Sequence, residues 1–315
     1  MDATKVAIVD SGLHWIDDKY KDNFIDGIAI DPFSKKINRD FVDNNGHGTH
    51  CANMILKENP GVKLFVIKIL NNNVKSDYKS LIKALEYLLD VDVKIINLSL
   101  SVQNWECEKQ IYELCDKLIN QGKIIVSALA NGSEYSIPAV LDNVIGVSGD
   151  YQNVDRLYSF NKEKRIQCMC NAEPVIFEGL NQKYEIFMGN SKATAAFSGY
   201  LSRFIRDENY YLLEEKLHGL EKKSDKQVEI YRSAPVDFIE ECGKLLRDIT
   251  KKDIIGIPIT NPNYLFLLGL NTHNFNEFLI KCEKNWGITI KVPVPYRKIF
   301  SLEYLYNIKG RNNNE

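Results

Sequence analysis

Three short stretches hold residue types that could do acyl-transfer chemistry together: Val9-Asp10-Ser11-Gly12, Gly46-His47-Gly48-Thr49-His50 and Gly189-Asn190-Ser191-Lys192-Ala193-Thr194. A serine hydroxyl is a weak nucleophile until a neutral imidazole takes its proton. The imidazole in turn needs a carboxylate to fix its tautomer and stabilise its cation. Each stretch sets one of these groups among small residues, where the chain must turn sharply. On this reading Ser191 attacks, His47 serves as general base and then general acid, and Asp10 orients His47. Ser191 at a helix start exposes its hydroxyl and places positive backbone dipoles near the developing charge. A plain helix cap is the other use of such a serine. His50 competes with His47 on residue type, one helical turn further on. Asp43 reads as part of the connecting loop.

Such groups need a scaffold that delivers them to one place. Apolar runs at about 4–10, 63–70, 93–101, 123–129 and 144–149 are continuous rather than alternating, as expected of strands buried on both faces of a parallel sheet. Between them lie helical patterns, clearest over 78–89 with Leu81, Ile82, Leu85, Leu88 and Leu89 on one face. Another runs from Ser191 through Phe197, Tyr200, Leu201 and Phe204. The pattern predicts an α/β fold with a doubly wound, mostly parallel sheet, and a site at the carboxyl ends of its strands. Asp10 and Asn131 fall at such ends.

The order Asp, His, Ser, and further motifs in sequence, make the chain resemble the subtilisin-like serine proteases over about residues 4–206. Ile95-Ile-Asn97-Leu-Ser99-Leu-Ser101 resembles the strand lining that family's first substrate pocket. Ile124-Ile-Val-Ser-Ala128-Leu-Ala130-Asn131 resembles the strand ending in its oxyanion asparagine. Ser136-Ile-Pro138-Ala, Val144-Ile-Gly-Val-Ser-Gly149, Arg156-Leu-Tyr-Ser-Phe160 and Cys168-Met-Cys-Asn-Ala-Glu-Pro174 follow in the expected order. The resemblance implies peptide-bond hydrolysis through an acyl-Ser191 intermediate, with no metal and no organic cofactor. It selects His47, the first histidine of its motif, as the base. Asn131 is implied as a side-chain donor to the oxyanion, although Asn131-Gly132 also reads as a plain turn. An extended peptide is expected to pair with the edges Val74-Lys75-Ser76 and Ser99-Leu100-Ser101, beside Ala128-Leu129-Ala130. The family's edges are glycine-rich and these are not. Ser101 and Ala130 are expected to narrow the first pocket and Val74 to crowd the next, restricting the substrates. The family's usual Gly-Thr-Ser-Met-Ala-Thr/Ser-Pro is Gly189-Asn190-Ser191-Lys192-Ala193-Thr194-Ala195 here; the Lys192 cation either perturbs the field beside the nucleophile or, as expected of a long stem, reaches solvent. The short segment 56–62 lacks the calcium-binding insertion of many secreted relatives.

After this domain, 1–206, residues 207–232 are charge-dense and read as a linker or solvated helix. Over 233–315, Phe238, Ile239, Cys242, Leu245, Leu246 and Ile249 repeat at helical spacing. A loop with Pro258 and Pro262 follows, then a helix face of Phe275, Phe278, Leu279 and Cys282. Residues 234–309 resemble a small all-α acyl or peptidyl carrier domain, whose Leu-Gly-Leu-Asp-Ser-Leu is Leu268-Gly269-Leu270-Asn271-Thr272-His273 here. Thr272 stands at the attachment position, where a β-branched secondary hydroxyl is a poor substitute for serine. Asn271 or Thr272 also suits a helix cap. The resemblance implies an unmodified docking module for a biosynthetic-enzyme partner, beside a peptide or protein substrate. The alternative is a catalytically weak docking scaffold.

Across 315 residues, Lys and Arg number 40 and Asp and Glu 42, so the chain lacks the basic excess of a nucleic-acid binder. No apolar run approaches the ~18 residues of a membrane span. Met1-Asp2-Ala3-Thr4-Lys5 leads straight into the first strand, so that neither a signal sequence nor a pro-segment is expected. Seven cysteines, an odd number without scaffold spacing, suit a reducing compartment, and the expected location is cytoplasmic. Cys168 and Cys170 are expected to point to opposite sides of a strand. They have no second pair at matching spacing for a metal.

Overall fold

The Val- and Ile-rich runs become strands because branched side chains pack well on a pleated surface covered on both faces. The computed structural model describes residues 3–14, 18–153, 155–181, 183–205, 208–223, 231–251 and 264–311. The chain forms two compact units: Met1–Glu173 with Met188–Asp225, and Pro174–Phe187 with Lys226–Glu315.

In the first unit, strands β1 (Lys5–Asp10), β2 (Phe24–Ile30), β3 (Ile37–Asn38), β4 (Lys63–Lys68), β5 (Ile95–Leu98), β6 (Ile124–Ala128), β7 (Ile145–Asp150), β8 (Arg156–Phe160), β9 (Cys168–Asn171) and β12 (Glu221–Lys223) build one sheet. Its order is β12-β8-β9-β7-β6-β5-β1-β4-β2-β3. The central pairs β2/β4, β4/β1, β1/β5, β5/β6, β6/β7 and β7/β9 are parallel. The edges β2/β3, β8/β9 and β12/β8 are antiparallel. Helices α1 (His47–Glu58), α2 (Tyr78–Leu88), α3 (Glu108–Asn120), α4 (Gly189–Leu201) and α5 (Tyr210–Leu217) complete this unit. After β1 the chain builds β2, β3 and β4 on one side of it, then crosses from β4 to β5 on the other. The carboxyl end of β1, where Asp10 stands, is therefore a topological switch point.

The second unit contains β10 (Val175–Glu178), β11 (Tyr184–Phe187), α6 (Val236–Thr250), α7 (Tyr264–Leu267), α8 (Phe275–Trp286), β13 (Val294–Pro295), α9 (Tyr296–Ile299) and α10 (Leu302–Arg311). Its strands pair in the order β11-β10-β13. Ile176 and Tyr184 are buried in one core with Phe238, Leu246, Phe278 and Leu305. This unit is therefore not all-α: the hairpin Pro174–Phe187, read above as part of a continuous domain 1–206, supplies two of its strands. The stretch 207–232, read above as a linker or solvated helix, includes a helix with a buried face. Residues 210–217 form a helix whose Tyr210 is fully buried, and 221–223 pair with β8. Pro258 and Pro262 lie outside the described residues.

All seven cysteines are free and buried. Cys168 and Cys170 share one face of β9 rather than opposite faces, because residues two apart on a strand point the same way. Among the described residues no helix is long and apolar enough to cross a membrane.

Candidate active site

Asp10 is fully buried at the end of β1. Its Oδ1 accepts the backbone N–H of Ser11 at 2.7 Å and lies 2.7 Å from His47 Nδ1. His47 opens α1 where the helix start packs against the end of β1. A Cβ on Gly48 would stand 2.4 Å from the Gly12 carbonyl oxygen, so only glycine admits this approach. Gly46 at the N-cap has no side chain to cap the helix. Asp43 does so instead: its carboxylate accepts the N–H groups of Asn45, Gly46 and Thr49, each at 2.9 Å, and the Thr49 hydroxyl at 2.7 Å. Asp43 is thus more than a loop residue, being 2% exposed. Burial alone would raise its carboxyl, but these hydrogen bonds outweigh burial and hold it below the ordinary range.

The two histidines diverge for physical reasons. Burial disfavours the His47 cation, but the Asp10 carboxylate overcomes this, with help from Asp43, and His47 sits above the usual value. At His50, burial and the nearby His47 charge outweigh the pull of the Asp43 and Asp10 carboxylates and push it down to about 4. With Nδ1–H directed at Asp10, His47 presents Nε2 as its basic nitrogen.

Ser191 lies in the first turn of α4. Its hydroxyl donates to the Ser99 carbonyl at 3.2 Å, and the Ser99 hydroxyl donates back to the Ser191 carbonyl at 3.2 Å. Behind them Asn97 Nδ2 donates to Ser99 Oγ at 3.0 Å, and Ser198 donates to Asn97 Oδ1 at 2.9 Å. Ser99 therefore supports the serine as well as lining the cleft. Asn190, in the place of the threonine of the resembling motif, fastens the turn to β7 and to the residue that follows β6. Its Oδ1 accepts from Gly149 N–H at 2.8 Å and its Nδ2 donates to the Leu129 carbonyl at 2.7 Å. The Asn190 N–H in turn donates to Asn131 Oδ1 at 3.3 Å. The sequence reading missed Asn97, Asp43 and Asn190; the unusual Asn190 beside the serine was the one available signal.

Lys192 corrects an expectation. It is 4% exposed rather than solvated, and its ammonium donates to the Asn171 carbonyl at 2.8 Å and Asn171 Oδ1 at 2.9 Å.

A cleft of about 530 Å³ is lined by His47, Asn131 and Ser191, together with Val74, Lys75, Ser76, Ser99, Leu100, Ser101, Ala128, Leu129 and Ala130. Asp10 stands behind His47. Val74 has φ 57, a left-handed conformation strained for a β-branched residue, at the cleft rim. Val102, at the edge of the cleft, exchanges two backbone hydrogen bonds of 2.8 and 2.9 Å with Ile137. Asp10, His47 and Cys51 place donor atoms within 4.8 Å of one another, as a metal would need. The same atoms already engage one another: Asp10 Oδ1 lies 2.7 Å from His47 Nδ1, and Cys51 Sγ donates to Asp10 Oδ2 at 3.5 Å. In the second unit Thr272 is exposed in the turn before α8, where Asn271 Oδ1 accepts the His273 N–H at 2.8 Å.

This arrangement pairs a buried carboxylate with an imidazole that lines one cleft with a serine on a helix start and an asparagine. Comparison with known proteins runs the same way. The subtilase family model matches residues 1–230. The minor extracellular protease Epr of Bacillus subtilis (strain 168) is 27% identical over 228 residues, 67% of this chain and 34% of that protein. An intracellular serine protease of Paenibacillus polymyxa is 27% identical over 216 residues, 63% of this chain and 65% of its own. The major intracellular serine protease of Bacillus subtilis (strain 168) is also 27% identical over 216 residues, 63% of this chain and 67% of its own. The chain spans 34% and 65% of the first two relatives' lengths.

Proposed function

The chain belongs to the subtilase family, and from that premise we propose that it is a serine endopeptidase acting through Asp10, His47 and Ser191. The observation that carries this reading is the 2.7 Å Asp10–His47 pair opening onto the cleft that Ser191 and Asn131 also line. A turn of the Ser191 side chain from the Ser99 carbonyl toward His47 Nε2 starts the reaction. Ser191 Oγ attacks the scissile carbonyl carbon as its proton passes to His47, and Asp10 stabilises the imidazolium that forms. The negative oxygen of the tetrahedral intermediate meets the Asn131 amide and the Ser191 N–H. Removing one such donor from a subtilisin costs about 10²–10³ in turnover. As the C–N bond breaks, His47 returns the proton to the leaving amine. Water, activated by the same base, then releases the acyl group and restores Ser191.

The substrate is an extended peptide paired with the 74–76 and 99–101 edges. The side chains of Val74, Ser101 and Ala130 narrow the subsites, favouring small residues on the acyl side of the bond and a restricted set of substrates such as a precursor peptide. A cytoplasmic location fits seven free, buried cysteines and the two relatives named as intracellular. The second unit restricts or recruits substrates, and Thr272 in its exposed turn marks a docking surface for a biosynthetic partner rather than an attachment point. Mass-spectrometric profiling of a peptide mixture with wild type and Ser191→Ala tests this reading. Cleavage after small residues that disappears in the variant is expected. Equal rates after Phe and after Ala would remove the narrow-cleft reading, and no cleavage by folded wild type would favour a docking scaffold.

A further inference from the structure

Lys192 directly follows the proposed nucleophile, yet its charged end is buried in the first unit, 4% exposed. Both its hydrogen bonds, 2.8 and 2.9 Å, go to Asn171, the last residue of β9. Two residues later, after Glu173, the chain leaves this unit, and it returns at Met188, three residues before Ser191. Lys192 thus ties together the point of departure and the point of return. Asn171 is itself set by the Glu173 N–H, which donates to its Oδ1 at 3.0 Å. On the other side of the same helical turn, Asn190 holds Gly149 and Leu129. The turn carrying Ser191 is therefore fastened from both sides, by one residue before the serine and one after it.

We infer that Lys192 is a positioning residue for Ser191, fastening the first turn of α4 to the end of β9 so that the serine keeps its place beside the cleft. The inference rests on the reading of Ser191 as the nucleophile. An ammonium serves this purpose better than the methionine of the family motif, because a charged donor holds carbonyl oxygens more tightly than a neutral contact does.

The same residue costs folding stability. Burial lowers its ammonium to about 8 from 10.5. The groups facing it are Cys170 of β9, Lys57 and Glu58 of α1, and Glu173 beyond β9. Between those two values the unfolded chain binds the extra proton and the folded chain does not. Stability from this group is therefore lowest below about pH 8 and rises as the pH climbs to 10.5. Its grip on Asn171 follows the opposite course, strongest while charged. A residue kept only for structure would not separate stability from reactivity in this way.

The test measures the second-order rate of labelling by a small fluorophosphonate from about pH 6 to 10, with melting temperatures, for wild type and Lys192→Met. Near neutral pH the variant should label about ten- to hundredfold more slowly while melting higher than wild type, and its melting advantage should shrink toward pH 10. The wild-type rate should fall above about pH 8, and the variant should lack that fall. Lys192→Met labelling at the wild-type rate across the range overturns the inference alone. Asn171→Ala, which removes the Oδ1 partner of the ammonium, should slow labelling as well, and a wild-type rate in that variant overturns the inference even where Lys192→Met fails to fold. Absence of wild-type labelling at every pH overturns the nucleophile reading, and this inference with it.

Discussion

Asp43 shows how a single side chain can set both a helix and a base. Four hydrogen bonds converge on its buried carboxylate, and its charge adds to that of Asp10 in favouring protonated His47. Asp43→Asn turns an acceptor oxygen into a donor facing N–H groups, and should cost about 1.5–3 kcal/mol in urea unfolding at pH 7. Because the folded carboxyl lies below its ordinary 3.8, this contribution is complete above that value and is lost as the pH falls through the folded one. The gap between variant and wild type should therefore close in acid. The acid limb of the labelling rate should also move to lower pH, since His47 loses a neighbouring negative charge. Asp10, His47 and Ser191 were legible as residues because each chemical type sits in its own turn. Asp43 and Asn97 were not, since their partners are backbone and side-chain groups brought near only by folding. Lys192 was misread because a long stem usually leads outward, and here the stem runs inward to Asn171.

At the scale of elements, α1 carries the proposed base and α4 the proposed nucleophile, so in this account the contact between these two helices sets the distance between the reacting groups. Gly199 allows that contact: a Cβ there would stand 2.7 Å from the Ile55 carbonyl oxygen and 2.9 Å from Ile55 Cα, both backbone atoms that cannot swing aside. Gly199→Ala should push the helices apart, destabilise the fold by about 1–3 kcal/mol and slow fluorophosphonate labelling. A variant that matches wild type in both urea midpoint and labelling rate would show that the helix contact does not govern the site. The parallel strands were readable because continuous Val and Ile runs have few other uses. The short edge strands β3 and β12, two and three residues long, carry no periodicity. Their pairing is fixed by neighbours distant in sequence.

At the scale of the whole chain, the sequence suggested a protease domain followed by a separable helical one, and the structure interleaves them. The hairpin 174–187, placed between β9 and the serine helix, pairs with β13 through Val175–Pro295 and Ile176–Val294 and buries Tyr184 in the core of the second unit. No local pattern announces such a pairing across more than a hundred residues. A chain ending at residue 225 would leave that hairpin without its third strand or its core. It should be recovered aggregated or unlabelled by fluorophosphonate, whereas a soluble, fully labelled product would mean that the second unit is only tethered. The central claim concerns the serine itself. The most direct measurement is intact-mass analysis of the full chain after incubation with a small fluorophosphonate, alongside Ser191→Ala and His47→Ala. A single adduct on wild type, absent from Ser191→Ala and strongly slowed in His47→Ala, is the predicted result. Folded wild type that takes up no adduct, or an adduct that survives Ser191→Ala, would contradict it.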